Sequence, residues 1–236
     1  MTVTQHGNSL YKLTRLIAFN CFLVREDDGF TLIDTGMNGS ADAILRAADA
    51  LGAPIRRILL THAHTDHVGS LDALAARLTD VEIMISGRDA RLLAGDMSID
   101  PAEPQTPLKG GFISVTTTPT RLLTDGETIG ALRVIATPGH TPGHISFMDQ
   151  RDGTLIAGDA FSTQAGISTA GTLRLLFPFP AMATWHQATA LASAERLLAL
   201  NPSRLATGHG RVLEQPHSAM KAAIEEARQR IERKGQ

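Results

Sequence analysis

Apolar and polar positions along this chain fall into short blocks whose period changes in a regular order. Residues 10–18, 20–25 and 30–34 are short apolar and β-branched runs bounded by turn residues, which predicts three strands. Asp27-Asp28-Gly29 supplies a hairpin turn between the second and the third. After Asp34-Thr35-Gly36 the period becomes helical. Ser40 stands where an N-cap belongs, the helix runs over 41–51, and Gly52 and Pro54 end it. Residues 55–60 predict a buried strand, 70–78 return to helical spacing, 81–86 predict another strand and 87–94 a short helix.

The second half begins with a break. Pro101, Pro104, Pro107, Gly110-Gly111 and Pro119 punctuate residues 95–119, which therefore predict a loop. Residues 121–159 read as consecutive strands with turns at Asp125-Gly126 and Asp152-Gly153. A second long loop is expected over 160–183, then a helix opened by Ala183-Thr184-Trp185 and running to residue 200. A short strand at 204–207 precedes a last helix over about 218–233, with Met220, Ala223, Ile224, Ala227 and Ile231 on one face. No internal repeat and no domain boundary is evident, so one domain over 1–236 is expected.

Composition narrows the function classes. With 43% hydrophobic and 19% charged residues the chain reads as an ordinary globule with a substantial core. A net charge of −2 leaves no basic stripe for a nucleic acid. No apolar run approaches the length of a membrane span. The apolar stretch 16–24 follows Lys12 and Arg15 in the manner of a signal peptide, but Asn20 interrupts it and no small-residue cleavage site follows; a strand pair is the better reading. Cys21 is the single cysteine, so neither an intramolecular disulfide nor a cysteine zinc site is available, and a buried, inert thiol in a cytoplasmic protein is expected.

The chemistry concentrates in Thr61-His62-Ala63-His64-Thr65-Asp66-His67-Val68-Gly69. Three histidines and an aspartate within six positions, on a loop between a predicted strand and a predicted helix, are the donor types that zinc and similar metals take. Thr65 or Asp66 capping the following helix would explain one residue and leave three histidines unexplained. Three further sites follow apolar runs: Pro138-Gly139-His140, Gly158-Asp159 and Gly208-His209-Gly210.

These four motifs, in this order, resemble the metallo-β-lactamase superfamily, and the resemblance covers roughly residues 20–211. It implies an α/β fold, a four-layer αββα sandwich of mixed β-sheets flanked by helices. It also implies a dinuclear site: His62, His64 and His140 on one metal, Asp66, His67 and His209 on the second, and Asp159 bridging. Two divalent ions are expected, zinc first, with manganese or iron as alternatives. They would share a hydroxide nucleophile, with Asp66 helping to move the proton to the leaving group. Asp34 is read as supporting the site from behind rather than ligating, and His144 as a structural histidine beside a full site. His6, His186 and His217 are read as surface or capping residues.

Within the family, the bridging Asp159 argues against β-lactam hydrolysis, since the family's zinc β-lactamases lack it. Only 27 residues follow His209, against the helical domain with which glyoxalase II-like enzymes bind glutathione. Tyr11 is the only tyrosine and lies in the first strand, away from the position lactonases of the family use. Phe161, Ile167, Leu173, Leu175, Leu176, Phe177, Phe179 and Met182 make the 160–183 loop apolar, as core packing, a dimer contact or a pocket wall. The expectation is a hydrolase of a small carboxylic ester or lactone, such as an acyl-homoserine lactone. The alternatives are a glutathione thioester or phosphoester hydrolase and, in another class, a mononuclear-iron persulfide dioxygenase. The expected partners are a small-molecule substrate and at most a second copy of the chain.

Overall fold

The structure, a computed structural model, describes residues 1–234. The chain divides into two compact units, one built from residues 1–96 and 111–123, the other from 97–110 and from 124 onward. Together they make a mixed α/β fold with mixed sheets and helices, the class the sequence predicts.

The first unit is a seven-stranded sheet in sequence order: β1 (Thr2–His6), β2 (Leu10–Arg15), β3 (Phe19–Glu26), β4 (Gly29–Ile33), β5 (Ile55–Leu59), β6 (Glu82–Ser86) and β7 (Arg121–Leu123). Strands β1 to β4 are antiparallel neighbours, and β4 to β7 run parallel. Parallel pairing requires crossovers. These are α1 (Ala41–Ala50), the pair α2 (Thr65–Val68) and α3 (Leu71–Ala75), and a last crossover that contains α4 (Gly87–Leu93). Every residue of β4 is buried, as a central strand covered on both faces should be. Helix α1 buries Ala41, Ile44, Ala47 and Ala48, one stripe at helical spacing.

The second unit carries a six-stranded sheet in the order β15 (Leu213–Glu214), β14 (Arg204–Ala206), β11 (Thr154–Ile156), β10 (Ile145–Asp149), β9 (Leu132–Ala136), β8 (Thr128–Ile129). Only β11 and β14 pair in parallel. A small ribbon, β12 (Phe161–Ser162) with β13 (Ser168–Thr169), and helices α5 (Phe179–Met182), α6 (Gln187–Ala199) and α7 (His217–Lys234) complete it. The core joins Ile135, Leu155, Phe161, Leu197 and Leu205 to Met220, Ala223 and Ile224 of α7, the face that the helical spacing predicts.

Several boundaries differ from the sequence reading. Strand β1 is absent from it, because four of its five residues are exposed and no apolar alternation marks it. The strand expected over 10–18 stops at Arg15. Leu16 and Ile17 take left-handed backbone (φ 49° and 68°) and turn the chain into β3. The helix expected over 70–78 is α3 alone, preceded by the separate turn α2 inside the histidine motif. The loop expected over 160–183 contains β12, β13 and α5, and the helix expected from residue 183 starts at Gln187. Ser40 sits at the N-cap of α1 without a capping bond from its side chain; its hydroxyl instead accepts from Arg15 Nη1. No helix among the described residues is long and apolar enough to cross a membrane.

Candidate metal centre

In the first unit the histidine motif leaves the carboxyl end of β5, next to the end of β4, where parallel strands present their loops. Asp34 follows β4 directly and holds a left-handed backbone (φ 60°), a conformation that costs a non-glycine residue energy and that an aspartate tolerates better than most. The surrounding bonds over-determine it. The buried carboxylate accepts the Thr61 N–H on Oδ1 at 2.8 Å, and on Oδ2 the Thr61 hydroxyl at 2.8 Å and His67 Nδ1–H at 2.7 Å. Since the Thr61 hydroxyl donates to Asp34, its oxygen accepts His62 Nδ1–H, 3.0 Å away. One aspartate thus orients two imidazoles and leaves Nε2 of each as the nitrogen a metal could take.

The motif backbone is fixed as well. Ala63 N–H donates to the buried Asp89 Oδ2 of α4 at 2.9 Å, and His64 is the N-cap of α2. The His62 ring centroid stands 4.8 Å from that of His64 and 4.0 Å from that of His67. Asp66 Oδ2 lies 3.7 Å from His67 Nε2. Glycine is required at Gly69, where a Cβ would strike the backbone of Asn38, Met37 and Thr65 and push α2 off the loop after β4.

In the second unit three loops converge. His140 follows β9, Asp159 follows β11 and His209 follows β14. Asp159 Oδ2 lies 3.0 Å from His209 Nε2 and 3.4 Å from His140 Nε2, with all three side chains buried. His144 supports this carboxylate from behind. Its Nε2 accepts the Asp159 N–H at 3.1 Å, so Nδ1 carries the proton and donates to Thr137 Oγ1 at 2.8 Å. Asp34 thus bonds to the side chain of His67 and His144 to the backbone of Asp159.

His140 Nδ1 lies 3.1 Å from Thr184 Oγ1, and the Thr184 hydroxyl donates to Pro180 O at 2.7 Å, so the imidazole is the donor to it. Phe177 lays its ring against His209, centroids 5.2 Å apart. Gly139 has φ 134°, and a Cβ there would meet the Ala190 backbone in the first turn of α6. The sequence reading gave no such contact to Thr61, Asp89, Thr137, Phe177 or Thr184. Only Thr61, inside the histidine motif, stands where one could have been suspected from the chain.

The other expectations divide. Burial raises the Cys21 thiol pKa, with the Asp34 charge adding to it, which leaves an inert thiol. His186 is the N-cap of α6, accepting the Thr189 N–H. The apolar 160–183 stretch splits: Phe161 and Ile167 join the core, Phe177 is buried on His209, and Leu175 and Leu176 are 87% and 90% exposed, with Phe179 and Met182 also exposed.

Imidazoles whose Nδ1 atoms are engaged by protein acceptors, as at His62, His67 and His140, beside buried carboxylates, are a donor set that fits divalent transition metals. The chain carries a His/Asp cluster capable of holding such ions.

The sequence matches the family model of the metallo-beta-lactamase superfamily over residues 18–209. It is 50% identical over 232 residues to the uncharacterized protein YobT of Bacillus subtilis (strain 168), covering 97% of this chain and 99% of that one. It is 33% identical to the probable metallo-hydrolase YflN of the same organism, covering 80% and 78%. A hydroxyacylglutathione hydrolase of Stenotrophomonas maltophilia (strain R551-3) is 32% identical over 68% of this chain and 55% of its own length. Among solved structures, TTHA1623 in a di-iron-bound form superposes with a TM-score of 0.64 at 29% identity, covering 87% of this chain and 94% of that one.

Proposed function

The chain belongs to the metallo-beta-lactamase superfamily and is a metal-dependent hydrolase of that family, and we propose that it is a dinuclear enzyme cleaving a small carboxylic ester or lactone with an apolar acyl part. In this reading the two units act as one domain. By the family resemblance, His62, His64 and His140 would hold one metal, Asp66, His67 and His209 the other, with Asp159 shared between them. The observation that carries it is Asp159, whose Oδ2 faces the Nε2 atoms of His140 and His209, ligands assigned to different metals.

When bound, two divalent ions supply Lewis acidity toward a carbonyl and a water whose pKa falls to about 7. The chain's own residues do the rest. Asp34, Thr61 and Thr184 hold three imidazoles with the proton on Nδ1. Asp66 moves the proton to the leaving group: its side chain is 28% exposed, whereas that of Asp159 is 3% exposed, so Asp66 is the carboxylate that can exchange with substrate. The exposed Leu175, Leu176, Phe179 and Met182 take the acyl part, each buried methylene adding about 0.8 kcal/mol of binding. The partner is a small molecule, in a reducing cytoplasm that suits the single buried cysteine.

A second reading is a glutathione-thioester hydrolase, favoured by the likeness to the hydroxyacylglutathione hydrolase. Metal content of protein purified without added metal, with a panel of acyl lactones, aryl esters, S-lactoylglutathione, a β-lactam and a phosphodiester, separates the readings. Two metals per chain and the best specificity constant among lactones and esters are expected. A best value on S-lactoylglutathione selects the second reading. One iron per chain with oxygen uptake on glutathione persulfide refutes both.

A further inference from the structure

We propose that the segment from Phe177 to Thr184 is a positioning strap for the metal ligands of the second unit, with Thr184 as the positioning residue for His140. The inference rests on the metal centre of the preceding reading. It goes beyond it by giving the apolar segment a second task besides contact with substrate.

Three contacts carry it. The Thr184 hydroxyl donates to Pro180 O at 2.7 Å, so its oxygen presents a lone pair to His140 Nδ1–H at 3.1 Å. That bond fixes the ring's tautomer and its rotation about χ2, and aims Nε2 at Asp159. Phe177 packs its ring on His209. Phe177, Pro180 and Ala181 also wall a cleft that Asp159 lines. One short segment therefore touches or walls every candidate ligand of this unit.

The strap is internally stiff and is clamped at its far end. Met182 N–H bonds to Pro178 O and Ala183 N–H to Phe179 O within α5, and Trp185 N–H and His186 N–H bond to the carbonyls of His140 and Gly139. Thr184 is 1% exposed, so its hydroxyl has no access to water as a substitute partner. The opposite side of the same helix turn shows Phe179 and Met182 to solvent. A group seated on that side presses on a body bonded to His140. Acyl engagement should therefore alter turnover as well as affinity.

The test is Thr184→Val, which keeps the side-chain shape and removes both hydrogen bonds, set beside Thr184→Ser, which keeps the hydroxyl. Zinc affinity is read by competition with a chromogenic chelator, and kcat and KM are read separately over a series of acyl chain lengths. In T184V one of the two zinc ions should bind about 10- to 100-fold more weakly, the range for loss of a partner behind a metal-bound imidazole. The rise of kcat with chain length should flatten while the fall of KM remains. T184S should behave as wild type. Both zinc ions held with wild-type affinity in a folded T184V, or equal damage in T184S, would overturn the inference. Should T184V not fold, Phe177→Leu decides: a severalfold weaker zinc site is expected, and unchanged affinity overturns the strap. Wild-type protein that takes up no metal refutes the metal centre itself. Wild type with two ions and an unaffected T184V refutes this inference alone.

Discussion

Replacing Asp34 by asparagine changes one atom type in a buried site and leaves its shape. The left-handed backbone at φ 60° accepts asparagine as readily as aspartate, so the substitution adds no backbone strain. The carboxylate accepts three hydrogen bonds, one on Oδ1 and two on Oδ2. An amide has one acceptor oxygen. It will place that oxygen toward His67 and the Thr61 hydroxyl, keeping two bonds, and turn its NH2 against the Thr61 N–H. One hydrogen bond to a charged group is then lost, about 1.5–3 kcal/mol, and the two that remain become neutral and weaker. A destabilisation of the metal-depleted protein of about 2–4 kcal/mol is expected, measured as a shift in the urea midpoint at unchanged slope. His67 also exchanges a charged acceptor, which raises its basicity, for a neutral one, so a metal held there should bind about 10- to 100-fold more weakly by chelator competition. A metal-depleted Asp34→Asn protein within about 0.5 kcal/mol of wild type, with unchanged metal affinity, would refute the argument that Asp34 organises the motif.

Three further expectations follow from the same geometry. Asp66→Asn should lower kcat by about 10²-fold or more with little change in KM and both metals retained; normal turnover with both metals bound would remove Asp66 from proton transfer. Leu176→Ser with Phe179→Ser, both at exposed positions, should leave stability nearly unchanged but raise KM severalfold for long acyl chains and not for short ones; equal effects on both would take this surface away from the substrate. The Arg174 guanidinium holds the Glu226 carboxyl below the usual carboxylate range, with Arg230 adding to it. A depressed folded-state pKa contributes stability above the unfolded value of about 4.3, and this contribution is lost as pH falls through the folded value. The stability gap between wild type and Glu226→Gln, measured by urea denaturation, should therefore be constant near neutral pH and close below about pH 4. A gap that widens toward acid would contradict the assignment.

The chain by itself determined the candidate ligands and the order of the major elements. Histidine and aspartate are rare in apolar surroundings, and His62, His64, Asp66 and His67 lie close enough in sequence to be seen as one unit. The apolar blocks of β3 and β4 announce themselves as continuous buried runs, and α7 as one buried face at helical spacing. Where nothing is buried the pattern falls silent, as in β1, and where an element is two residues long, as in β12 and β13, no period can register. Tertiary structure alone decided what stands behind the candidate ligands. Asp34 meets His67 across 33 positions, and Thr184 meets His140 across 44. A threonine that orients an imidazole has the same local sequence as one that faces water. The difference is made by the chain that folds back over it, excludes solvent and leaves its hydroxyl one partner to accept from and one to donate to.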